Sequence, residues 1–289
     1  MPPEDASHSS RLLSFSLSDE EFETIRRLVK AQTGISLGLH KRELVVSRLS
    51  RRLRALGLKS FAEYIQLLKE AGDSGELVHM INQITTNKTD FYREKHHFDF
   101  LSNTVLPKLY AEGERTGNRR IRCWSAGCSS GEEPYTMAIT MAEFFKDRPG
   151  WDIKILATDL DTAMLRKASK GEYPAEAVEP IPKPILTRYF EKRVHDGEVF
   201  YVVKPQLRKM IVFRRFNLMA PRYPFKIQLD FIFCRNVLIY FDHDDKIAVV
   251  KKFHSVLKPG GYLFVGHSES LMAAKDLFRY VATTVYQKI

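Results

Sequence analysis

The sequence predicts two kinds of structure in succession: an all-helical segment, then an α/β domain on an open, doubly wound sheet with a small antiparallel insert. Three observations carry that expectation. Up to about residue 95 the apolar residues recur at helical spacing, with no strand-like alternation. From Ile121 onward, short apolar runs that suit buried parallel strands alternate with helical patterns, as a doubly wound sheet requires. Inside that alternation, VHDGEVFYVV places Asp196-Gly197 between β-formers, the signature of a two-residue hairpin.

Taken in order, the chain of 289 residues is long enough for one large core or two modest ones. Residues 1–14 open on the polar, Pro/Ser-rich MPPEDASHSS and are expected to be a disordered tail. A helical domain is expected over 15–85. Ser18 and Glu21 form a capping box, Phe22, Ile25, Leu28 and Val29 follow at helical spacing, and Gly34 stops the helix. A second helix runs from about His40 to Gly57, and Ser60 with Glu63 opens a third. Residues 86–120 read as an interdomain linker with a helix. Residues 121–289 read as the α/β domain, with the antiparallel insertion at about 189–210. IRCWSA, IKILATD, MIVFRRF, DFIFCRN and YLFVGH are its strands, with helices near 132–146, 161–170 and 243–257. Lys258-Pro259-Gly260-Gly261 is the turn into the last of these strands, and LFRYVATTVYQKI forms a closing pair.

Composition bounds the function. Charged residues at 28% and hydrophobic residues at 44% describe an ordinary globular protein. No run approaches the ~20 apolar residues that cross a bilayer, so membrane insertion is not expected. Cys123, Cys128 and Cys234 lack metal-ligand spacing and cannot all pair, which suits a reducing cytoplasm. A net charge of +10 favours an acidic or polyanionic partner without saying which. His96 and His97 are adjacent on a helix and are expected to point to different sides, so no metal site is expected.

The most informative stretch is WSAGCSSGEEPYTMAI, residues 124–139, which follows the first strand and opens a helix. Doubly wound folds bind nucleotides there. Neither G-x-G-x-x-G nor a Gly-rich loop ending in Lys is present. Glu132 and Glu133 stand where a phosphate would be repelled, although both also suit a helix N-terminus. The ligand this favours is a nucleoside without phosphate that carries a cation, as S-adenosylmethionine does. Gly127 to Gly131 also matches the nucleophile elbow G-x-S-x-G, with Asp230 and His267 in triad order. A hydrolase sheet needs strands before that elbow, and only helices precede it here. At the end of the second strand, Asp159 is placed to hold both ribose hydroxyls, while Asp161 reads as the N-cap of the next helix.

The strand DFIFCRN ends in Arg235 and Asn236, with Tyr240 just beyond. Neither a D/N/S-P-P-aromatic motif nor a Pro-Cys nucleophile follows that strand, which makes nucleic acid a poor substrate. Cys234 reads as a buried strand residue.

TTNKTDFYRE (85–94), WSAGCSSGEEPY (124–135), ATDLD (157–161), FCRNVLIYF (233–241) and GHSE (266–269) together resemble, in order, the motifs of the CheR-type chemotaxis receptor methyltransferases. The similarity runs from about residue 15 to the end. It implies a Rossmann-like class I methyltransferase domain carrying a small antiparallel β-subdomain, preceded by a helical domain. It implies S-adenosylmethionine as cofactor, S-adenosylhomocysteine as product, and glutamate side chains on the cytoplasmic helices of chemoreceptors as acceptors. It also implies a cytoplasmic monomer. Carried over by position, Asn87, Thr89, Arg93, Glu133, Asp159, Asn217, Leu218, Arg235 and Asn236 would line the cofactor pocket. Arg93 and Tyr240 would act at the acceptor. One departure is Tyr92, where the family often has Phe, which would put an extra hydroxyl near the site. Without the resemblance, TTNKTDFYRE would read as a polar linker.

These residues suit the chemistry. A glutamate carboxylate, with a pKa of about 4.3, is already a nucleophile at neutral pH and needs no general base. Alignment and exclusion of water remain for the protein to supply. On the second helix, Lys41, Arg48, Arg51 and Arg52 share one side and Val45, Leu49, Leu53 and Leu56 the other. The basic side is either a solvated face or a dock for an acidic receptor helix. A cofactor-loaded regulator that docks without turnover is the binding-class alternative, and the presence of Arg93, Tyr240 and Asp159 disfavours it.

Overall fold

The computed structural model describes residues 15–70 and 75–289. The tail expected at 1–14 lies outside the described residues. The chain forms two compact units, one from residues up to Gln32 with Leu37–Ile84, the other from Thr33–Ser36 with Thr85–Ile289. Among the described residues no helix is long and apolar enough to cross a membrane.

The first unit is built on α1 (Asp19–Thr33), α2 (Arg42–Ala55), α3 (Phe61–Glu70) and α4 (Gly75–Ile84). The Ser18/Glu21 capping box forms as expected, and the Ser60/Glu63 pair caps α3 in a shifted form. Glu21 N–H donates to Ser18 Oγ at 3.1 Å and Ser18 N–H to Glu21 at 2.7 Å; at the start of α3 Glu63 N–H donates to Ser60 Oγ at 3.2 Å, while the Glu63 carboxylate accepts from Lys59 N–H at 2.8 Å, one residue earlier than in the first box. Phe22, Ile25 and Val29 of α1 are buried, as are Val45, Leu49 and Leu53 of α2 and Met80 and Ile81 of α4. Beside that apolar core lies a polar lock. Arg52 grips Glu76 with both Nε and Nη2, and Tyr64 donates to the same carboxylate at 2.8 Å.

The second unit begins with α5 (His96–Phe100), which widens into a π-turn at Leu101–Val105 and continues as α6 (Leu106–Thr116). Then come β1 (Arg120–Ala126), α7 (Glu132–Phe145), β2 (Asp152–Asp159), α8 (Thr162–Lys170) and β3 (Glu172–Pro174). A short α9 (Lys183–Tyr189) leads to the hairpin β4 (Phe190–His195) and β5 (Glu198–Val203), and α10 (Pro205–Arg208) returns the chain to β6 (Ile211–Arg215). β7 (Leu229–Cys234), α11 (His243–Val256), β8 (Leu257–Val265), β9 (Phe278–Ala282) and β10 (Val285–Lys288) complete it.

Seven strands share one sheet in the order β6-β2-β1-β7-β8-β10-β9. The first five are parallel, and β10 enters antiparallel to β8 and β9. Side chains alternate between two buried faces: Cys123, Phe231 and Phe233 belong to one cluster, and Trp124, Ile232 and Cys234 to the other. Order reverses between β1 and β7, so the loops after β1, β2 and β7 open at one crevice.

A second sheet runs β3-β5-β4. Asp196 and Gly197 take φ +50° and +81°, as a two-residue hairpin turn demands. The sheet recruits β3, upstream of the insertion expected at about 189–210, because a strand of three residues shows no alternation to read. Lys258–Gly261, expected as a free turn, is instead a bulge within β8. Leu257 pairs with Leu229 and Tyr262 with Phe231, leaving Asp230 opposite the bulge, where Lys258 bonds it at 2.5 Å.

Candidate active site

The crevice is shaped first by the loop after β1. The N–H groups of Gly127 and Cys128 both donate to the Thr158 carbonyl, at 2.8 and 2.9 Å, folding the loop over the end of β2. Gly127 has φ +90°, and a Cβ there would come within 2.3 Å of Val237, so only glycine permits this approach. Asp159 ends β2 with one oxygen on Ser129 N–H and the other on Asp161 N–H, both at 2.8 Å. Leu160 N–H is also directed at this carboxylate, whose about four acceptor sites still leave room for a ligand hydroxyl. Burial pushes its carboxyl above the usual aspartate range.

Asp161 is the N-cap of α8, accepting from Ala163 and Met164. Its other oxygen accepts from Asn87 at 2.7 Å and Thr85 at 3.1 Å. Ser129 Oγ donates to the Asn87 carbonyl at 2.9 Å, so Asn87 is fixed between the two strand-end loops. Thr89 is half-buried on the same segment.

The two glutamates of α7 part company. Glu132 turns back to Ser130 Oγ. Glu133 reaches into the strand ends, accepts from Ser125 Oγ at 2.7 Å and lies 3.6 Å from Arg235. Burial pushes the Glu133 carboxyl up, and the Arg235 guanidinium partly offsets it. The Arg235 side chain is 2% exposed, donates to the Arg93 carbonyl and lies 3.5 Å from Glu94. Its guanidinium rests over the rings of Phe98 and Phe233. The Arg93 guanidinium turns outward and donates to the Lys88 carbonyl at 2.7 Å. Asn236, at φ +58°, points its amide toward Glu94 at 3.4 Å. Tyr240 sits half-buried in a 3-10 turn, with its carbonyl bonded to Ser36 N–H at 2.8 Å.

Asn217 caps its own turn through Met219 N–H. The Leu218 side chain packs in the core cluster of Trp124, and its carbonyl accepts from Lys252 and Tyr223.

Electrostatically the crevice is unbalanced. Glu94 and Glu133 flank a single buried guanidinium, with Asp159 at the end of β2. Among the described residues, Glu94 Oε2, Arg235 Nε, His97 Nδ1 and His96 Nε2 have no hydrogen-bond partner. His97 is neutral, its pKa pushed down to about 2 by burial and then by Arg235. An excess of carboxylate at a crevice with no phosphate-binding loop fits a ligand bearing positive charge.

Two expectations change. His96 and His97 do not diverge: their rings approach to 4.1 Å, and His267 comes within 5.0 Å of His96. Both begin a helix that packs on the ends of β7 and β8, which turns the two rings the same way. Among the described residues no group of three potential ligands could hold a metal. The Tyr92 hydroxyl is pushed up to about 12 by burial and then by Glu143, further along α7 than Glu133, so the hydroxyl stands off from the strand-end cluster. Ser129, Asp230 and His267 form no triad: Ser129 bonds Asn87, Asp230 bonds Lys258 and Arg122, and His267 is exposed.

Glu94 and Glu269 are engaged at the crevice without having been singled out. Both close motifs, TTNKTDFYRE and GHSE, and that was their only signal.

Residues 87–287 match the family described as CheR methyltransferase, SAM binding domain, and residues 20–85 the CheR methyltransferase all-alpha domain. A chemotaxis protein methyltransferase of Borreliella burgdorferi is 40% identical over 96% of this chain and 96% of its own length. Chemotaxis protein methyltransferase 2 of Pseudomonas aeruginosa is 40% identical over 94% of each chain. That of Escherichia coli is 40% identical over 93% of this chain and 91% of its own. The helical unit, the strand-end crevice poor in phosphate chemistry and these matches agree: the chain belongs to the CheR family of S-adenosylmethionine-dependent chemotaxis methyltransferases.

Proposed function

We propose that the protein transfers a methyl group from S-adenosylmethionine to glutamate side chains on the cytoplasmic helices of bacterial chemoreceptors, giving glutamate methyl esters. The observation that carries this reading is the surplus of buried carboxylate around Arg235, at a crevice suited to a cationic nucleoside. The bound cofactor supplies a methyl group on a sulfonium. Asp159 accepts from the ribose hydroxyls through its remaining lone pairs. Glu133 faces the positive end of the cofactor, Asn87, Thr89, Arg235, Asn236 and Asn217 complete the pocket, and Leu218, buried in the Trp124 cluster, supports Asn217 from the core.

Arg93 and Tyr240 receive the acceptor. The Arg93 guanidinium exchanges a neutral carbonyl, that of Lys88, for a carboxylate, a stronger and paired partner. Attack by a carboxylate on a sulfonium disperses both charges, so these groups serve best by orienting the acceptor while water is kept out. A grip that neutralised the carboxylate would slow the transfer.

Lys41 at the N-cap of α2, with Arg48, Arg51 and Arg52 on its basic side, forms the dock for an acidic receptor helix. Its members differ in what they have left to offer. Arg52 is matched by Glu76, and Arg48 donates to the carbonyls of Gln83 and Ile84. The side chains of Lys41 and Arg51 have no partner among the described residues, which makes them the leading contacts.

Calorimetry and a labelled-methyl assay test the reading together. S-adenosylmethionine and S-adenosylhomocysteine should bind, NAD and ATP should not, and label should pass to a receptor cytoplasmic domain without competition from duplex DNA or RNA. Label in the nucleic acid would contradict it.

A further inference from the structure

Glu269 is 3% exposed, yet among the described residues it pairs with no cation. Its carboxylate accepts backbone N–H groups from both ends of a loop, with Leu238 N–H also directed at it. Oε2 takes Asn236 at 2.9 Å and Gly266 at 2.5 Å, and Oε1 takes Ile239 at 3.2 Å. The first and last of these donors mark the two ends of one loop. Asn236 adjoins Arg235 on the cofactor side, and Ile239 adjoins Tyr240 on the acceptor side. That loop needs an external hold, because Asn236 sits in the left-handed region and its neighbour Val237 is wedged against Gly127. A Cβ on Gly266 would lie 2.7 Å from Asn236 N and 2.5 Å from its Nδ2, so the β8 end is cut to fit the same residue.

We propose that Glu269 is a positioning residue for methyl transfer, setting the separation of Asn236 and Tyr240 through the backbone between them. The role rests on the reading of the site given above. A single rigid anion bonded to both ends of the turn couples the pocket of one reactant to the contact of the other. Transfer between two aligned reactants is sensitive to that separation. An apolar filler could support the loop from below, but it could not fix two N–H groups at opposite ends of it.

The two oxygens face different donors, Asn236 and Gly266 on Oε2 and Ile239 on Oε1, and this makes the proposal testable. In E269Q the carbonyl oxygen should take the Oε2 place, where the short bonds from Asn236 and Gly266 converge, and leave the NH2 group facing Ile239 N–H. Amide exchange should then quicken at Ile239 while Asn236 and Gly266 stay protected. Cofactor affinity should remain within about threefold of wild type, and kcat should fall roughly ten- to a hundredfold. E269A should lose both, with exchange quickened at all three amides. Should E269A fail to fold, the E269Q split alone decides. A role in stability only predicts that affinity and kcat in E269Q move together with the thermal midpoint, or not at all; either result overturns the proposal. A wild type that transfers no methyl group would instead overturn the functional reading, and the positioning role with it. The amide pattern would then stand as a property of the fold alone.

Discussion

At the scale of single residues, the site is a set of carboxylates with separate tasks. Asp159 already holds two backbone N–H groups, so Asp159→Asn replaces one acceptor with a donor that meets an N–H. Losing a charged partner of this kind costs about 1.5–3 kcal/mol, so S-adenosylmethionine affinity should drop roughly ten- to a hundredfold by calorimetry. Wild-type affinity in that variant would remove Asp159 from the pocket. The raised carboxyls of Glu133 and Asp159 give a pH dependence with a definite sign. A cationic ligand favours their ionised forms and drives off any protons the free protein holds. Affinity should therefore be flat near neutrality and fall with acid, starting above the range of ordinary carboxylates. Affinity that rose on acidification would reverse the assignment. The place of Asp159 at a strand end and of Asp161 as a helix cap was legible. The outward turn of Arg93 and the burial of Arg235 were not, because nothing in the sequence tells which arginine the aromatic rings of Phe98 and Phe233 will cover.

At the scale of elements, α2 shows where a helical wheel stops being informative. Its apolar side was legible from spacing, and Val45, Leu49 and Leu53 are buried. Its basic side looked uniform, yet Arg52 belongs to a lock with Glu76 and Tyr64, residues from two other helices that no local pattern could connect. The consequences separate cleanly. Arg52→Ala leaves a largely buried Glu76 with one partner fewer, and should lower stability by about 1–3 kcal/mol in a denaturant titration. Reversing Lys41 and Arg51 to Glu should leave stability near wild type and raise the apparent KM for receptor, with cofactor affinity unchanged. If those charges lie on a merely solvated face, the receptor KM will not move. The strands tell the same story in reverse. Five apolar runs announced the parallel sheet, whereas β3 and the bulge in β8 arise from partners supplied by the rest of the fold.

At the scale of the whole molecule, a net charge of +10 sets a background attraction for anything acidic, and the specific site must work within it. Exposed charges are screened over about 8 Å at physiological salt, so receptor methylation should weaken as salt rises while cofactor binding at the enclosed crevice changes little. Equal salt sensitivity in both would place the two events on one exposed surface. The central claim is about which atom receives the methyl group. Its most direct test is to incubate the protein with labelled S-adenosylmethionine and a receptor cytoplasmic domain, then map the labelled peptides before and after mild base. The account predicts label on glutamate side chains, released by base as methanol, formed at a rate nearly constant between about pH 6.5 and 8.5 and strongly reduced in Arg93→Ala. Base-stable label on lysine or another amine, with a rate climbing tenfold per pH unit, would contradict it.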